Sequence, residues 1–158
     1  MGETEIPMTL EQMVRNLWDR EQIRELTYAY GLAIEAQDAA RMASLFTADG
    51  AVDFTSLGRG VMRGHAEIMA FYRSLWALDV KPFFTNHVIE VDGDRASGIC
   101  SFENRARRGT QSIIGAGRLH DTYMRVEERW KFASRRVEVF YFVPLAQGWA
   151  EASGPGSL

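Results

Sequence analysis

Cysteine is nearly absent from this chain of 158 residues. The single thiol, Cys100, cannot form an intramolecular disulfide, which is typical of proteins from a reducing compartment. Cys100 stands in an apolar run with Ile99 and Phe102, and this setting indicates a buried packing residue. The acidic N-terminus lacks the apolar core of a signal peptide, and no apolar run approaches the length of a membrane span. We therefore expect a cytoplasmic protein with no membrane partner.

Neither sign of charge dominates the sequence, whose formal net charge is −3. A stripe of Lys and Arg interleaved with aromatic residues, which is typical of nucleic-acid binding, is missing; the densest basic group is Arg105, Arg107 and Arg108. The three histidines are far apart and none has a ligand-type partner four residues away, so we expect no metal site. Gly115 and Gly117 lack the strand–loop–helix context of a phosphate-binding loop. We therefore expect no cofactor and no nucleic-acid partner.

What the chain does contain is an ordinary globular composition, with 46% hydrophobic and 25% charged residues. Its length indicates one domain over 1–158, with a core large enough to fold without disulfides or metal. We expect residues 1–8 to form a loose N-terminal arm and residues 144–158 to form a C-terminal tail or lid. No internal repeat or linker divides the chain.

Helical spacing of apolar residues dominates the first half of the chain. It predicts helices over about 9–36, 38–50 and 65–78. Thr9 is a candidate N-cap for the first helix, which we expect to be broken near Asp19.

Strand patterns dominate the second half. The sequence predicts two short strands at 51–54 and 61–63, then a series of four at 84–91, 95–107, 113–126 and 130–142. Helices followed by a long meander are typical of an α+β fold and not of a βαβ fold.

Several segments of the chain resemble a known family by their order and spacing. They are Tyr30 to Asp38, Leu45 to Ala51, Ile89 to Ala96, Gly117 to Tyr123, and Trp130 to Ala133. Together they resemble the SnoaL-like branch of the NTF2-like superfamily over about 23–146. The resemblance implies a cone of three N-terminal helices packed on a curved, mostly antiparallel sheet, enclosing an apolar pocket for a small hydrophobic molecule.

The enzymes of this family are lyases that expel water or halide with a carboxylate–histidine pair and without metal or organic cofactor. Glu35 falls where the family has its catalytic Asp, so the resemblance implies a catalytic role. An apolar cone disfavours the charged form of a carboxylate and so favours proton transfer. The alternative is a solvated glutamate near the end of a helix, which is common on protein surfaces.

Two tyrosines precede this glutamate on the same helix. Tyr30 could donate its phenol proton to a leaving group or a carbonyl oxygen of the ligand, or it could simply pack in the core. Tyr28 lies seven residues before Glu35, nearly on the same helical face, and is an equal candidate for contact with the substrate.

The sequence departs from the family mainly at the histidine of the carboxylate–histidine pair. In the family it lies four residues before a strand asparagine, which here is Asn86, and that position holds Pro82. Proline can neither accept nor donate a proton. His87 is the nearest substitute, because it shares strand parity with Ile89 and would face the interior with it. The alternative is a histidine that only packs at a strand edge.

A second polar group lies on the long strand over 113–126. Alternation places Asp121, Tyr123 and Arg125 on one face, which in the family faces the cone, and His120 on the other. Asp121 and Arg125 would then form an interior charge pair that orients substrate or stabilises developing negative charge. A purely structural ion pair is the alternative.

Aromatic residues are numerous for this length and most must belong to the core. In a hollow cone some also contact ligand, which favours an aromatic or polycyclic molecule. The expected substrate contacts are Tyr28, Phe54, Phe84, Phe102, Tyr123 and Phe142.

These features favour a cofactor-independent lyase of the dehydratase, dehydrohalogenase or retro-aldol type, acting by general acid/base catalysis on a small hydrophobic molecule. Two alternatives stay open. One is an isomerase of the ketosteroid-isomerase kind that uses the same base, and the other is a non-catalytic module that binds a hydrophobic ligand. We also expect a homo-oligomer, with a trimer favoured over a dimer, because the outer face of the sheet needs cover.

Overall fold

The computed structural model describes residues 8–150, which form three α-helices, one short 3-10 helix and six strands. The α-helices are α1 (Leu10–Glu35), α2 (Ala39–Ser44) and α3 (Gly64–Ser74), and the 3-10 helix is Thr55–Leu57. The strands are β1 (Phe46–Asp53), β2 (Val61–Arg63), β3 (Asp79–Asp92), β4 (Arg95–Arg108), β5 (Gln111–Val126) and β6 (Arg129–Pro144). The expected N-terminal arm, except its last residue, and the end of the expected tail lie outside the described residues.

Helix α1 begins as predicted and runs without a break. Thr9 and Gln12 form a reciprocal capping box that satisfies two backbone N–H groups at its N-terminus. The expected break near Asp19 is wrong. Its carboxylate accepts hydrogen bonds from Arg125 and Trp130 at the end of the sheet, so it does not compete for the backbone of its own helix.

The second helix is shorter than predicted. It ends at Ser44, and the residues from Phe46 to Gly50 that were assigned to it form most of β1 instead. Phe46 is completely buried and pairs in parallel with Phe132 of β6. This pairing joins segments far apart in the chain, so local spacing gives no sign of it.

The fold is α+β, as the order of elements predicted. However, α3 follows β1 and β2, so the expectation of three consecutive N-terminal helices is not confirmed. Its apolar residues Ile68 and Tyr72 are buried against the sheet, and it ends at Ser74, four residues before the predicted end.

The six strands form one curved sheet in the order β2-β1-β6-β5-β4-β3. Strands β3 to β6 form the predicted antiparallel meander, and only the β1–β6 pair is parallel. Strand β3 starts at Asp79 and contains Pro82, which the prediction had placed before it. Proline is tolerated here because β3 is an edge strand, whose outer backbone groups need no partner in the sheet.

A bulge in β3 keeps its side chains on the correct face. The register with β4 shifts between Thr85 and Val88, and Asn86 takes a positive φ of 53°. After the bulge, His87 and Ile89 face the helices while Val88 is exposed. The predicted inward orientation of His87 is therefore confirmed.

Helices α1 and α3 cover one face of the sheet, and the core lies between the two layers. Helix α1 approaches β3 closely at Gly31, where an added Cβ would lie 2.9 Å from Phe84. Within residues 8–150, no helix is long and apolar enough to cross a membrane.

Candidate functional site

An apolar cavity of about 110 Å³ lies between α1, α3 and the sheet. All but four of its lining residues are aliphatic, prolyl or phenylalanyl, and the four with polar atoms are Tyr30, Tyr72, Trp76 and Asn104. The others are Ile34, Phe54, Leu57, Leu75, Leu78, Val80, Pro82, Phe84, Phe102, Leu119, Val137, Val139 and Phe142. The four phenylalanines predicted as substrate contacts thus all line this cavity.

Two phenol groups meet in the wall of the cavity. Tyr30 from α1 and Tyr72 from α3 are almost completely buried, and their hydroxyl groups share a short hydrogen bond. Burial raises the pKa of both tyrosines above the ordinary value, so both phenols are protonated at neutral pH. Two hydroxyls joined by one hydrogen bond retain one O–H to donate and free lone pairs to accept.

A completely buried ion pair lies behind this tyrosine pair. The Arg135 guanidinium sits 4.1 Å from the ring centroid of Tyr30 and donates to both oxygens of Asp121, at 2.8 and 2.7 Å. Burial by itself lowers the pKa of Arg135, but the Asp121 carboxylate outweighs it and holds that pKa above its ordinary value. Arg135 is therefore a permanent cation beside Tyr30, and one of its nitrogens, Nη1, has no hydrogen-bond partner within residues 8–150.

The ion pair continues into a chain of hydrogen bonds that ends at His87. The Tyr123 hydroxyl donates to Asp121 at 2.9 Å, and His87 Nε2 lies 3.2 Å from the same hydroxyl. Because Tyr123 gives its proton to Asp121, it accepts from the imidazole. Burial lowers the pKa of His87 to about 4, so the ring is neutral at physiological pH. His87, Asp121 and Tyr123, which the sequence singled out separately, form one buried network.

Glu35 lies outside the cavity. Its side chain is exposed at the end of α1, in an open surface depression that it shares with Trp76, Asp79 and Arg107. Trp76 also lines the apolar cavity, so this residue borders both the cavity and the depression that holds the carboxylate. The expected burial of Glu35 in the cone is wrong, because the cavity wall ends one residue earlier, at Ile34.

Two further expectations are wrong. Tyr28 is about half exposed and faces solvent, on the side of α1 away from the sheet. Arg125 pairs with Asp19 and Asp94, each at 2.9 Å, and not with Asp121. Asp121 and Arg125 are four residues apart on one strand, and such residues are separated by about 13 Å. Arg135, in contrast, lies directly opposite Asp121 on the neighbouring strand.

The remaining candidates lie away from the cavity. Tyr123 is buried but lies behind the lining residues. His120, on the outer face of the sheet as predicted, lies 2.7 Å from Glu138. Trp149 in the C-terminal segment stacks on Tyr141, with 5.7 Å between ring centroids. Among residues 8–150, no three His, Cys, Asp or Glu side chains converge as metal ligands.

Sequence reasoning missed the polar partners at this site. The candidate site residues that the sequence suggests include neither Tyr72 nor Arg135. A signal for Arg135 existed, because it shares strand parity with Val137 and Val139, which both line the cavity.

A family model described as the SnoaL-like domain matches residues 15–136, which is most of the chain. The chain belongs to the SnoaL-like domain family. The resemblance implied by its sequence motifs is thereby confirmed, and the match spans both tyrosines of the cavity and the entire buried network. No curated protein sequence matches this SnoaL-like chain.

Solved structures with the same fold are numerous. The protein LinA is 27% identical to this SnoaL-like domain with a TM-score of 0.75, and the match covers 84% of this chain and 93% of LinA. A hexachlorocyclohexane dehydrochlorinase, LinA-type3 from Novosphingobium barchaimii LL02, is 25% identical with a TM-score of 0.75, covering 84% and 94% of the two chains. A Mycobacterium tuberculosis protein of unknown function is 27% identical with a TM-score of 0.71, covering 84% and 80%.

Proposed function

We propose that this SnoaL-like protein is a cofactor-independent lyase that eliminates water or halide from a small, single-ring hydrophobic molecule. The observation that carries the proposal is the Tyr30–Tyr72 hydroxyl pair in a cavity that is otherwise almost wholly apolar. An apolar wall takes up the ring, and the paired hydroxyls fix the position of one oxygen or halogen on it.

The tyrosine pair supports the departure of the leaving group. The free O–H of the pair can donate a hydrogen bond to a carbonyl oxygen or a leaving hydroxyl of the substrate. This hydrogen bond becomes stronger as negative charge develops on that oxygen in the transition state, and it therefore lowers the barrier to elimination. Arg135 strengthens this effect, because its positive charge lies beside Tyr30 in a region without water to screen it. Dehydrochlorination by the LinA-type relatives, as their names state it, belongs to the same class of reaction.

The proton removed from carbon needs a base, and we assign this role to Glu35. Glu35 stands where the resemblance to the family implies the catalytic carboxylate, it directly follows Ile34 of the cavity lining, and its surface depression shares Trp76 with the cavity. Rotation of Trp76 would open a path between them. The C–H proton would then pass to Glu35, the new double bond would form, and the leaving group would depart while hydrogen-bonded to the tyrosine pair.

The experiment compares wild type with Glu35→Gln and with Glu90→Gln, an exposed control on β3. The probes are 3-hydroxycyclohexanone, whose dehydration gives an ultraviolet-absorbing enone, and 3-chlorocyclohexanone, whose elimination gives the same enone and releases chloride. We expect turnover of at least one probe, a loss of about 100-fold or more in kcat for Glu35→Gln, and no change for the control. Equal rates for the two variants would remove Glu35 from the mechanism.

A second function is favoured by the exposure of Glu35 and by Pro82 in the cavity wall. Among the described lining residues there is no carboxylate and no imidazole, which is what a non-catalytic module for a hydrophobic ligand requires. Such a module would bind single-ring ligands without converting any of them. An isomerase, the remaining alternative, would return the proton to the ring and release neither water nor chloride.

A further inference from the structure

The first nine residues of α1 lie at the edge of the domain, where some of them border a surface depression together with Arg125 and Glu128. This segment, Leu10–Trp18, is here called the α1 extension. Only Asn16 within it is even half-buried, and the first buried residue of the helix is Asp19, at the end of the sheet. Large apolar side chains that are exposed together on such a segment commonly mark a contact surface.

The apolar side chains of the extension face solvent on one side. Leu10, Met13, Val14, Leu17 and Trp18 are between 46% and 76% exposed. At 3.6 residues per turn they form one continuous stripe, which points away from the side of α1 that Ile23, Leu26 and Tyr30 bury against the sheet. The apolar face of α1 is thus reversed in its first turns, and packing among residues 8–150 does not account for this stripe.

We propose that the stripe is an interface between two copies of this chain, whose α1 extensions pair antiparallel about a two-fold axis near Met13. Leu10 of one chain would pack on Leu17 of the partner subunit, and Met13 on Val14 of the partner subunit. Two-fold symmetry repeats each contact, so one stripe supplies both surfaces. The antiparallel direction also places the two domains at opposite ends of the pair, where they cannot collide.

The charges on the extension favour this arrangement. Glu11 and Arg15, the only charged residues between Leu10 and Trp18, flank the stripe on the same side. In an antiparallel pair centred near Met13, Glu11 meets Arg15 of the partner subunit, and Arg15 meets Glu11 of the partner subunit. In a parallel pair the two flanks that carry Glu11 and Arg15 would lie on opposite sides, where neither charge meets a charge of the partner subunit, so the charges favour the antiparallel pair.

The apolar area also suits a second copy. Each of the five side chains offers on the order of 100 Å². The pair therefore buries roughly 1,000 Å² in total, which is at the lower limit of specific protein interfaces. A lipid surface fits less well, because membrane-binding helices carry several Lys or Arg on the polar face and this extension carries one Arg balanced by one Glu.

The test is the mass of the full-length protein in solution, by sedimentation velocity across a concentration series. We expect an even number of chains in wild type. Leu17→Glu should halve the number, because it places a carboxylate in the stripe. Leu32→Glu is the matched control, since Leu32 is also about half exposed on the same helix but lies outside the extension. We expect it to behave as wild type.

Charge exchange tests the register. Glu11→Arg alone should raise the dissociation constant of the pair about threefold to tenfold, and so should Arg15→Glu alone. The double variant should restore pairing, because both contacts are re-formed with reversed sign. Wild type with an odd number of chains, or Leu17→Glu with an unchanged mass, would overturn the proposal. Loss of binding of Leu17→Glu to phosphatidylglycerol vesicles without any change in mass would assign the stripe to a lipid surface instead.

Discussion

Among the single residues, Arg135 and Asp121 form the most deeply buried ion pair of residues 8–150. Both side chains are completely buried, and their separation is 2.7 Å. Two charges taken out of water are tolerated only when they are paired and hydrogen-bonded, and Tyr123 supplies one of the additional bonds to the carboxylate. The pair therefore holds the guanidinium beside Tyr30 more than it stabilises the fold.

Removing one partner of this pair should be severe. We expect Asp121→Ala to lower the free energy of unfolding by about 3–5 kcal/mol, because Arg135 would remain buried and unpaired. Urea denaturation at neutral pH measures this change. Asp79→Ala is the control, since its pair with Lys81 is exposed and screened by solvent. Similar stabilities for the two variants would mean that water reaches Arg135.

At the level of helices and strands, close backbone contact shapes the cavity wall. Gly117 of β5 lies where β6 and Phe102 leave no room for a side chain. An added Cβ would overlap the carbonyl oxygen of Glu138 and come within 2.6 Å of Phe102, which lines the cavity. The glycine thus lets two strands and an aromatic ring of the cavity meet at one point.

Substitution of Gly117 should disturb both the sheet and the cavity. We expect Gly117→Ala to cost about 2 kcal/mol or more in the free energy of unfolding, since the overlapping atom belongs to the backbone and cannot rotate away. Thermal unfolding measures the loss. Ala116→Ser, one residue earlier on the opposite face of β5, should change stability little. A fully stable Gly117→Ala would show that β5 and β6 can separate at this point.

The elements also show what local patterns can and cannot predict. The meander β3–β6 and the start of α1 followed from alternation, turn residues and a capping box, all of which act between near neighbours. The misassigned start of β1 depends on parallel pairing with β6, some eighty residues away. The partner of Asp121 was missed for the same reason, because cross-strand register is set by the whole sheet.

For the molecule as a whole, the size of the cavity limits the ligand. A cavity of about 110 Å³ is somewhat smaller than the roughly 150 Å³ apolar cavity that accommodates benzene in an engineered protein. The sequence predicted the aromatic wall from residue types, and four of its phenylalanines are in place. It could not predict the volume, which depends on how closely α1 approaches β3 at Gly31.

The cavity should therefore discriminate between ligands by their size and by their polarity. We expect phenol to bind more tightly than toluene, because it can hydrogen-bond to Tyr30 and Tyr72, and we expect 1-naphthol to bind too weakly to detect. Isothermal titration calorimetry measures all three. In Tyr72→Phe the advantage of phenol over toluene should fall by about tenfold, the worth of one hydrogen bond. Equal affinity for phenol and 1-naphthol would mean that the cavity opens.

The placement of Pro82 in β3 has a consequence for how the protein behaves in a crowded solution. The two edge strands of the sheet are β2 and β3. Strand β2 is only three residues long, and β3 is interrupted by Pro82 and by the bulge at Asn86. A long, uninterrupted edge strand can pair with strands of other molecules and start cross-β aggregation. Proline offers no N–H to such a strand, and the bulge bends the ladder that it would extend. Pro82 thus protects this open edge of the sheet against aggregation.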